Sequence, residues 1–272
     1  MDYTGLYYSE DIQFKETSDF DQSVFNSGTV FYEVLRIIDG TALFLEDHLQ
    51  RLQDSVNLAG NNFNVSVPVI HYLLRNLIRR NNTANGNVRI LVHFTGEKLP
   101  VIYTFFTPHF YPGSELYQKG AASALYRTER MDPNIKKMHP ELIKNINEFI
   151  KSKKIYDAIL IDKDDKITEG SRTNVFFIHG DSLITAPSEK VLIGITRTKV
   201  FQLCKQLDIN LIEQDISSTT LNNFDSAFFS GTSPKILPIN YIDDIQFSVE
   251  NKLTLKIMQA YDKLVSDYVN NN

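Results

Sequence analysis

Apolar positions change their spacing several times along the chain, and each change marks an element. In "VFYEVLRII" (30–38) β-branched and aromatic residues dominate, which predicts a strand, and Asp39-Gly40 behind it signals a hairpin turn into a second strand. Leu45, Leu49, Leu52 and Val56 then recur at the three- and four-residue spacing of one helix face. Glu46 and Asp47 sit in the first turn of that helix, where negative charge complements its dipole. A second helix, "VPVIHYLLRNLIRRNN", ends at the polar break "NNTANGN", and two strand-like runs, "VRILVHF" and "LPVIYTFF", follow. The pattern of this first part is mixed α+β.

The stretch "TPHFYPGSELYQKG" interrupts the periodicity with prolines, glycine and polar residues. It predicts an N-terminal α+β domain over 1–113, an interdomain linker at 114–120 and a C-terminal domain over 121–272. The C-terminal part carries a helix, "PELIKNINEFIKSKK", and then three short strands joined by polar turns between 157 and 187, with "DKDD" read as a turn. Read alone, Glu169 is a solvated residue at a strand entrance. In "VLIGITRTKVFQLCKQLDI" one apolar stripe, Val200, Leu203, Cys204 and Leu207, predicts a helix that starts at Thr196. The strand in "FDSAFFSGTSPKILPI" breaks at 231–234, and a last amphipathic helix is expected from about Val249 to Val269.

Composition changes little in this picture. With 272 residues, 42% hydrophobic and 22% charged, the chain reads as globular rather than disordered. A net charge of −5 argues against a protein that lives on nucleic acid, since such proteins usually carry a basic face; local basic sites stay open. One cysteine excludes an intramolecular disulfide, and no apolar run of signal or membrane-spanning length stands near the start, so the expected compartment is the cytoplasm. The histidines show no metal-ligand spacing, and no metal is expected.

Three local features could bind an anion. Gly194-Ile195-Thr196 would open a helix whose first N–H groups lack acceptors, a phosphate seat or a plain cap. "SGTS" (230–233) offers N–H groups and hydroxyls where a strand stops, or an ordinary turn. Arg51 stands on the first helix beside Leu49 and Leu52, aimed at a phosphate or simply ion-paired. Motifs for dinucleotides, P-loops, zinc proteases and serine hydrolases are missing.

In order and at about the right spacing, "VFYEVLRIIDG" with "DHLQRL", "NIKKM", "ITEGSRTNVFFI", "LIGITR" and "SGTSPKILPI" resemble the fold-type IV pyridoxal-phosphate enzymes. These are the branched-chain and D-amino acid aminotransferases and the aminodeoxychorismate lyases. The resemblance implies a two-domain α+β fold like that of D-amino acid aminotransferase, with a smaller N-terminal α/β domain and a larger, β-rich C-terminal domain that binds the cofactor. It also implies pyridoxal 5'-phosphate as cofactor, small amino-donor and oxo-acid partners, and a homodimer.

The resemblance gives roles to single positions. Lys136 matches the lysine that binds the cofactor covalently and moves protons, while Lys137 faces elsewhere if the segment is extended. Arg51, Ile195, Thr196 and Thr232 match phosphate ligands, Leu192 the apolar support of the ring, and Glu169 the carboxylate at the pyridine nitrogen, whose charged form it stabilises. Tyr32, Arg89 and Ser233 fall where relatives line the substrate pocket. His139-Pro140 stands where many relatives have asparagine three residues after the lysine. Glu33 in "FYEV" matches the glutamate common in transaminases, where lyases tend to have threonine. The expected activity is amino transfer between a small amino acid and a 2-oxo acid; the alternatives are an aminodeoxychorismate lyase and a catalytically silent cofactor-binding protein.

Overall fold

The computed structural model describes residues 3–96, 99–130 and 132–272. The chain forms two compact units, one of residues 1–110, 135–138 and 265–272, the other of 111–134 and 139–264.

The first unit holds β1 (Thr4–Glu10), β2 (Gln13–Glu16), β3 (Thr29–Ile38), β4 (Thr41–Ala42), α1 (Leu45–Leu58), α2 (Val67–Asn81), β5 (Gly86–Phe94) and β6 (Val101–Thr107). Its strands form one antiparallel sheet in the order β2-β1-β6-β5-β3-β4. Alternation along β3 sends Phe31, Glu33, Leu35 and Ile37 to one buried face. Phe31, Leu35 and Ile37 pack there with Leu45, Leu49, Leu52 and Val56 of α1 and Leu73, Leu74 and Leu77 of α2. Each such leucine contributes roughly 1.5–3 kcal/mol of burial. Asp39 and Gly40 have φ of 50° and 84°, the pair of positive values that a tight hairpin turn needs. The strand after that turn is only two residues long, because the chain leaves the sheet at once to enter α1.

The second unit contains α3 (Ser114–Lys119), β7 (Ala121–Arg127), α4 (Pro140–Lys153), β8 (Asp157–Ile161), β9 (Lys166–Gly170), β10 (Asn174–His179) and β11 (Ser182–Thr185). It continues through α5 (Ile195–Gln206), β12 (Asn210–Glu213), β13 (Ile216–Ser217), β14 (Ser226–Gly231), β15 (Lys235–Ile242) and β16 (Ile245–Gln246); α6 spans Lys252–Asn271. The strands form one sheet ordered β12-β11-β10-β14-β15-β7-β8-β9-β13, with β16 beside β15. Four strands separate β10 from β9 in that order, yet Asn174 Nδ2 on β10 reaches Glu169 Oε2 on β9 at 3.4 Å, so the sheet curls strongly.

Several sequence expectations change here. The stretch 114–120 is largely helix α3, whose Tyr117 hydroxyl donates to the Pro234 carbonyl at 2.9 Å. Residues 157–187 make four strands, not three. Helix α5 starts one residue before Thr196: Gly194 is its N-cap. On its stripe Val200, Leu203 and Cys204 are buried, whereas Leu207 is the C-cap and only half-buried. Burial pushes the Cys204 thiol up to about 11. Glu169 is not solvated but 3% exposed, inside β9.

Candidate active site

In the first unit, β3 and α1 meet along a polar seam within the apolar layer. Glu33 is fully buried and accepts from Arg51 Nε at Oε1 and from Arg51 Nη2 at Oε2, both at 2.7 Å, and pairs with His48 Nδ1 at 2.7 Å. Burial alone would raise the Glu33 carboxyl, but Arg51 and then His48 outweigh it and hold it far below the usual carboxylate range. Burial also lowers His48, against the pull of Glu33, which favours the neutral imidazole with Nδ1 turned to the carboxylate. Arg51 is thus ion-paired as well as placed on α1, and its guanidinium is held in one plane by a two-point contact.

Residues 135–138 lie along the edge of β3. The Tyr32 N–H donates to the Lys136 carbonyl at 3.1 Å, Met138 N–H to Val30 O at 3.0 Å, and Phe31 bridges Lys137. Lys136 is half-buried, with Nζ 4.6 Å from the Tyr32 ring centroid, while Lys137 is exposed. Arg89 on β5 stands diagonally across from Tyr32, with Cζ 5.8 Å from the same ring. Lys136, Tyr32 and Arg89 therefore come together. His139 is the N-cap of α4 and Pro140 its first residue, so the position that differs from many relatives serves to start a helix.

In the second unit a tight turn, Gly170 to Asn174, joins β9 to β10. Asp157, 1% exposed, accepts the hydroxyls of Ser171 and Thr173 and the Arg172 N–H, which fixes the turn from beneath. Burial pushes the Asp157 carboxyl up, against these donors and the Arg172 charge. A Cβ at Gly170 would meet Thr173 Oγ1 at 2.1 Å and Asp157 Oδ2 at 2.7 Å, so only glycine fits that turn. Glu169 next to it accepts the Leu192 N–H at 3.2 Å and lies 3.3 Å from Arg130 Nε. Asn174 donates to Glu169 and, at 2.9 Å, to the Leu192 carbonyl. Glu169 and Leu192 are thereby joined directly.

Ile195 and Thr196 occupy the first two positions of α5, and both are buried. The Thr196 hydroxyl lies 3.3 Å from that of Tyr261. Arg197 behind them is buried too, donating to Thr185 Oγ1, the Ala186 carbonyl and Glu213, which anchors the helix start. A Cβ at Gly194 would meet Asn174 Oδ1 at 2.1 Å, so the Asn174 side chain fills the space that any larger residue at this N-cap would need. Thr232 and Ser233 are half-buried in the turn between β14 and β15, and a Cβ at Gly231 would stand 3.3 Å from Thr173 Cγ2. Glu169, Leu192, Ile195, Thr196 and the Thr232 turn thus gather around Asn174 and Thr173.

Residues 30–242 match the profile of amino-transferase class IV. The chain belongs to the class IV aminotransferase family. Members of this family are pyridoxal-phosphate enzymes. "Branched-chain-amino-acid aminotransferase-like protein 2" of Arabidopsis thaliana is 29% identical over 271 residues, 92% of this chain, which spans only 47% of that protein's length. The branched-chain-amino-acid aminotransferase of Escherichia coli K12 is 28% identical over 260 residues, covering 86% of this chain and 83% of its own. A crystal structure of an E. coli branched-chain amino acid aminotransferase superposes with a TM-score of 0.86 at 23% identity, over 96% of this chain and 95% of that one. The two-domain α+β architecture is therefore that of the family.

The donors present suit the family's cofactor. The Ser230 hydroxyl is 1% exposed and has no hydrogen-bond partner among the described residues. It sits directly opposite Asn174 in the β10–β14 register and next to the Gly231-Thr232 turn. A buried orphan hydroxyl beside a helix N-terminus is an arrangement that a phosphorylated ligand would complete. Sequence reading missed Asn174, Asp157, Arg130, His48 and Ser55, and met Ser230 only as part of the "SGTS" loop. Only Ser55 and His48 left a trace, as polar residues set among the apolar positions of α1.

Proposed function

We propose that the chain is a pyridoxal-phosphate-dependent aminotransferase that exchanges an amino group between a small amino acid, branched-chain or D-configured, and a 2-oxo acid. The observation that carries this reading is the placement of Lys136: half-buried over the Tyr32 ring, with the adjacent Lys137 turned to solvent. Lys136 binds the cofactor and moves the proton of the substrate α-carbon. Arg51, Ile195, Thr196 and Thr232 hold the phosphate, and Leu192 supports the ring. When bound, the cofactor supplies an electron sink for the pair left at the α-carbon. Glu169 keeps the ring nitrogen protonated, since a carboxylate stabilises the charged form. The Leu192 N–H and Asn174 amide orient Glu169 for that task. Tyr32, Arg89 and Ser233 line the substrate side. The same reading makes the protein a cytoplasmic homodimer with an N-terminal domain over 1–113 and a cofactor-binding domain over 121–272, joined by the 114–120 stretch that forms α3.

The test is a donor screen on protein purified with pyridoxal phosphate. Leucine, valine and D-alanine are each incubated with 2-oxoglutarate, and aminodeoxychorismate is incubated in parallel. Amino exchange with at least one donor is expected. Release of pyruvate with 4-aminobenzoate, and no exchange, would overturn the transaminase assignment in favour of the lyase. Borohydride is expected to fix the cofactor on Lys136 and not on K136A. Light scattering that shows a monomer would remove the dimer.

A further inference from the structure

We infer that Ser55 is a positioning residue for Lys136, deciding which of the two adjacent lysines meets the cofactor. The inference rests on the functional reading above. Ser55 is fully buried on α1, between Leu52 and Val56, which are equally inaccessible. A hydroxyl in that layer loses solvation and needs a partner. Its oxygen accepts the N–H of Lys136 at 3.1 Å.

Three further contacts of this segment run backbone to backbone. Lys136 O accepts from Tyr32 N, Met138 N–H donates to Val30 O, and Lys137 N–H donates to Ile135 O at 2.9 Å, closing a three-residue turn centred on Lys136. Backbone pairing alone is indifferent to side-chain identity, and a slip of one residue would exchange the sides on which neighbouring side chains lie. Here that slip would put Lys137 where Lys136 stands. Ser55 is the side chain that ties the Lys136 N–H, so it pins the register from the helix that also carries Arg51.

The experiment compares cofactor capture in the full-length apoprotein of wild type, S55A, S55T and L77A. Leu77 is buried on α2, a different helix from the one that carries Ser55, so L77A controls for lost stability. Pyridoxal phosphate is added, borohydride stops the reaction at timed points, and peptide mass mapping gives the amount fixed on Lys136 and on Lys137. Wild type is expected to be labelled on Lys136. S55A should capture about tenfold more slowly, the ratio matching one lost buried hydrogen bond, with part of the label on Lys137. S55T should restore the wild-type pattern, and L77A, below its melting temperature, should keep it. An S55A protein with wild-type rate and labelling site overturns the role of Ser55, as does an L77A protein that shows the S55A pattern. Wild-type label on neither lysine overturns the functional reading and this inference together.

Discussion

Arg51 grips Glu33 at two points, Nε to Oε1 and Nη2 to Oε2, and the carboxylate lies beneath it fully buried. Glu33 therefore acts on the orientation of the proposed phosphate arm. Removing it in E33A leaves a guanidinium in a mostly buried setting without its counter-charge, at a cost of roughly 3 kcal/mol. Urea denaturation of the apoprotein measures that loss, and equilibrium dialysis should show weaker binding of pyridoxal phosphate. Unchanged stability and affinity would show that the pair has no positioning role.

Two buried carboxyls give opposite pH dependences. Glu33 is lowered on folding, so its contribution is complete above its unfolded value of 4.5 and is lost as pH falls below it. Asp157 is raised, so the folded protein holds a proton that the unfolded chain has released, and stability declines as pH rises past 3.8 toward the folded value. Melting curves across acidic pH should accordingly lose part of their acid-side fall in E33Q and part of this opposing decline in D157N. The same slope in all three proteins would contradict both assignments.

Gly194 touches Asn174 where a Cβ would stand 2.1 Å from its amide oxygen. G194A must push the start of α5 away from the Glu169 turn, with an overpacking penalty of about 1–3 kcal/mol. Affinity for inorganic phosphate and for pyridoxal phosphate should fall together, whereas affinity for pyridoxal, which lacks the phosphate, should change less. Equal losses for all three ligands would place the damage elsewhere.

Replacing Glu169 by glutamine keeps the shape and removes the charge. Turnover should drop by roughly 10²-fold or more, as for other single electrostatic groups aimed at a reacting centre, while the amount of cofactor bound stays near stoichiometric. Single-turnover absorbance and cofactor content separate the two effects. Full turnover in E169Q would dismiss the ring-nitrogen role.

Periodicity showed the helices well, because the a-face leucines of α1 and α2 fill a core that leaves no other spacing open. It also showed the Asp39-Gly40 turn, whose two positive φ values few other residue pairs tolerate. The start of α5 lay one residue off, since Thr196 is a common cap by residue type whereas the close approach of Asn174 selects glycine at 194. Linker 114–120 became helix for a related reason: Gly113 and Gly120 bracket α3 rather than breaking it. Lys136 and Glu169 were legible only through motif order, whereas Arg51 already stood out as an anion candidate on the first helix. What supports them, Ser55, His48 and Asp157, depends on contacts 14 or more residues apart in sequence, and no local spacing encodes those; Asn174 reaches Glu169 across five residues only because the β9–β10 turn folds back.

The chain has one cysteine, and Cys204 is both sealed inside α5 and held in its unreactive thiol form at neutral pH. A thiol introduced at Leu58, which is 63% exposed at the end of α1, would be the one site open to maleimide chemistry. The protein thus comes prepared for single-point fluorescent tagging on the helix that carries Arg51 and Ser55, with no need to delete a native cysteine first.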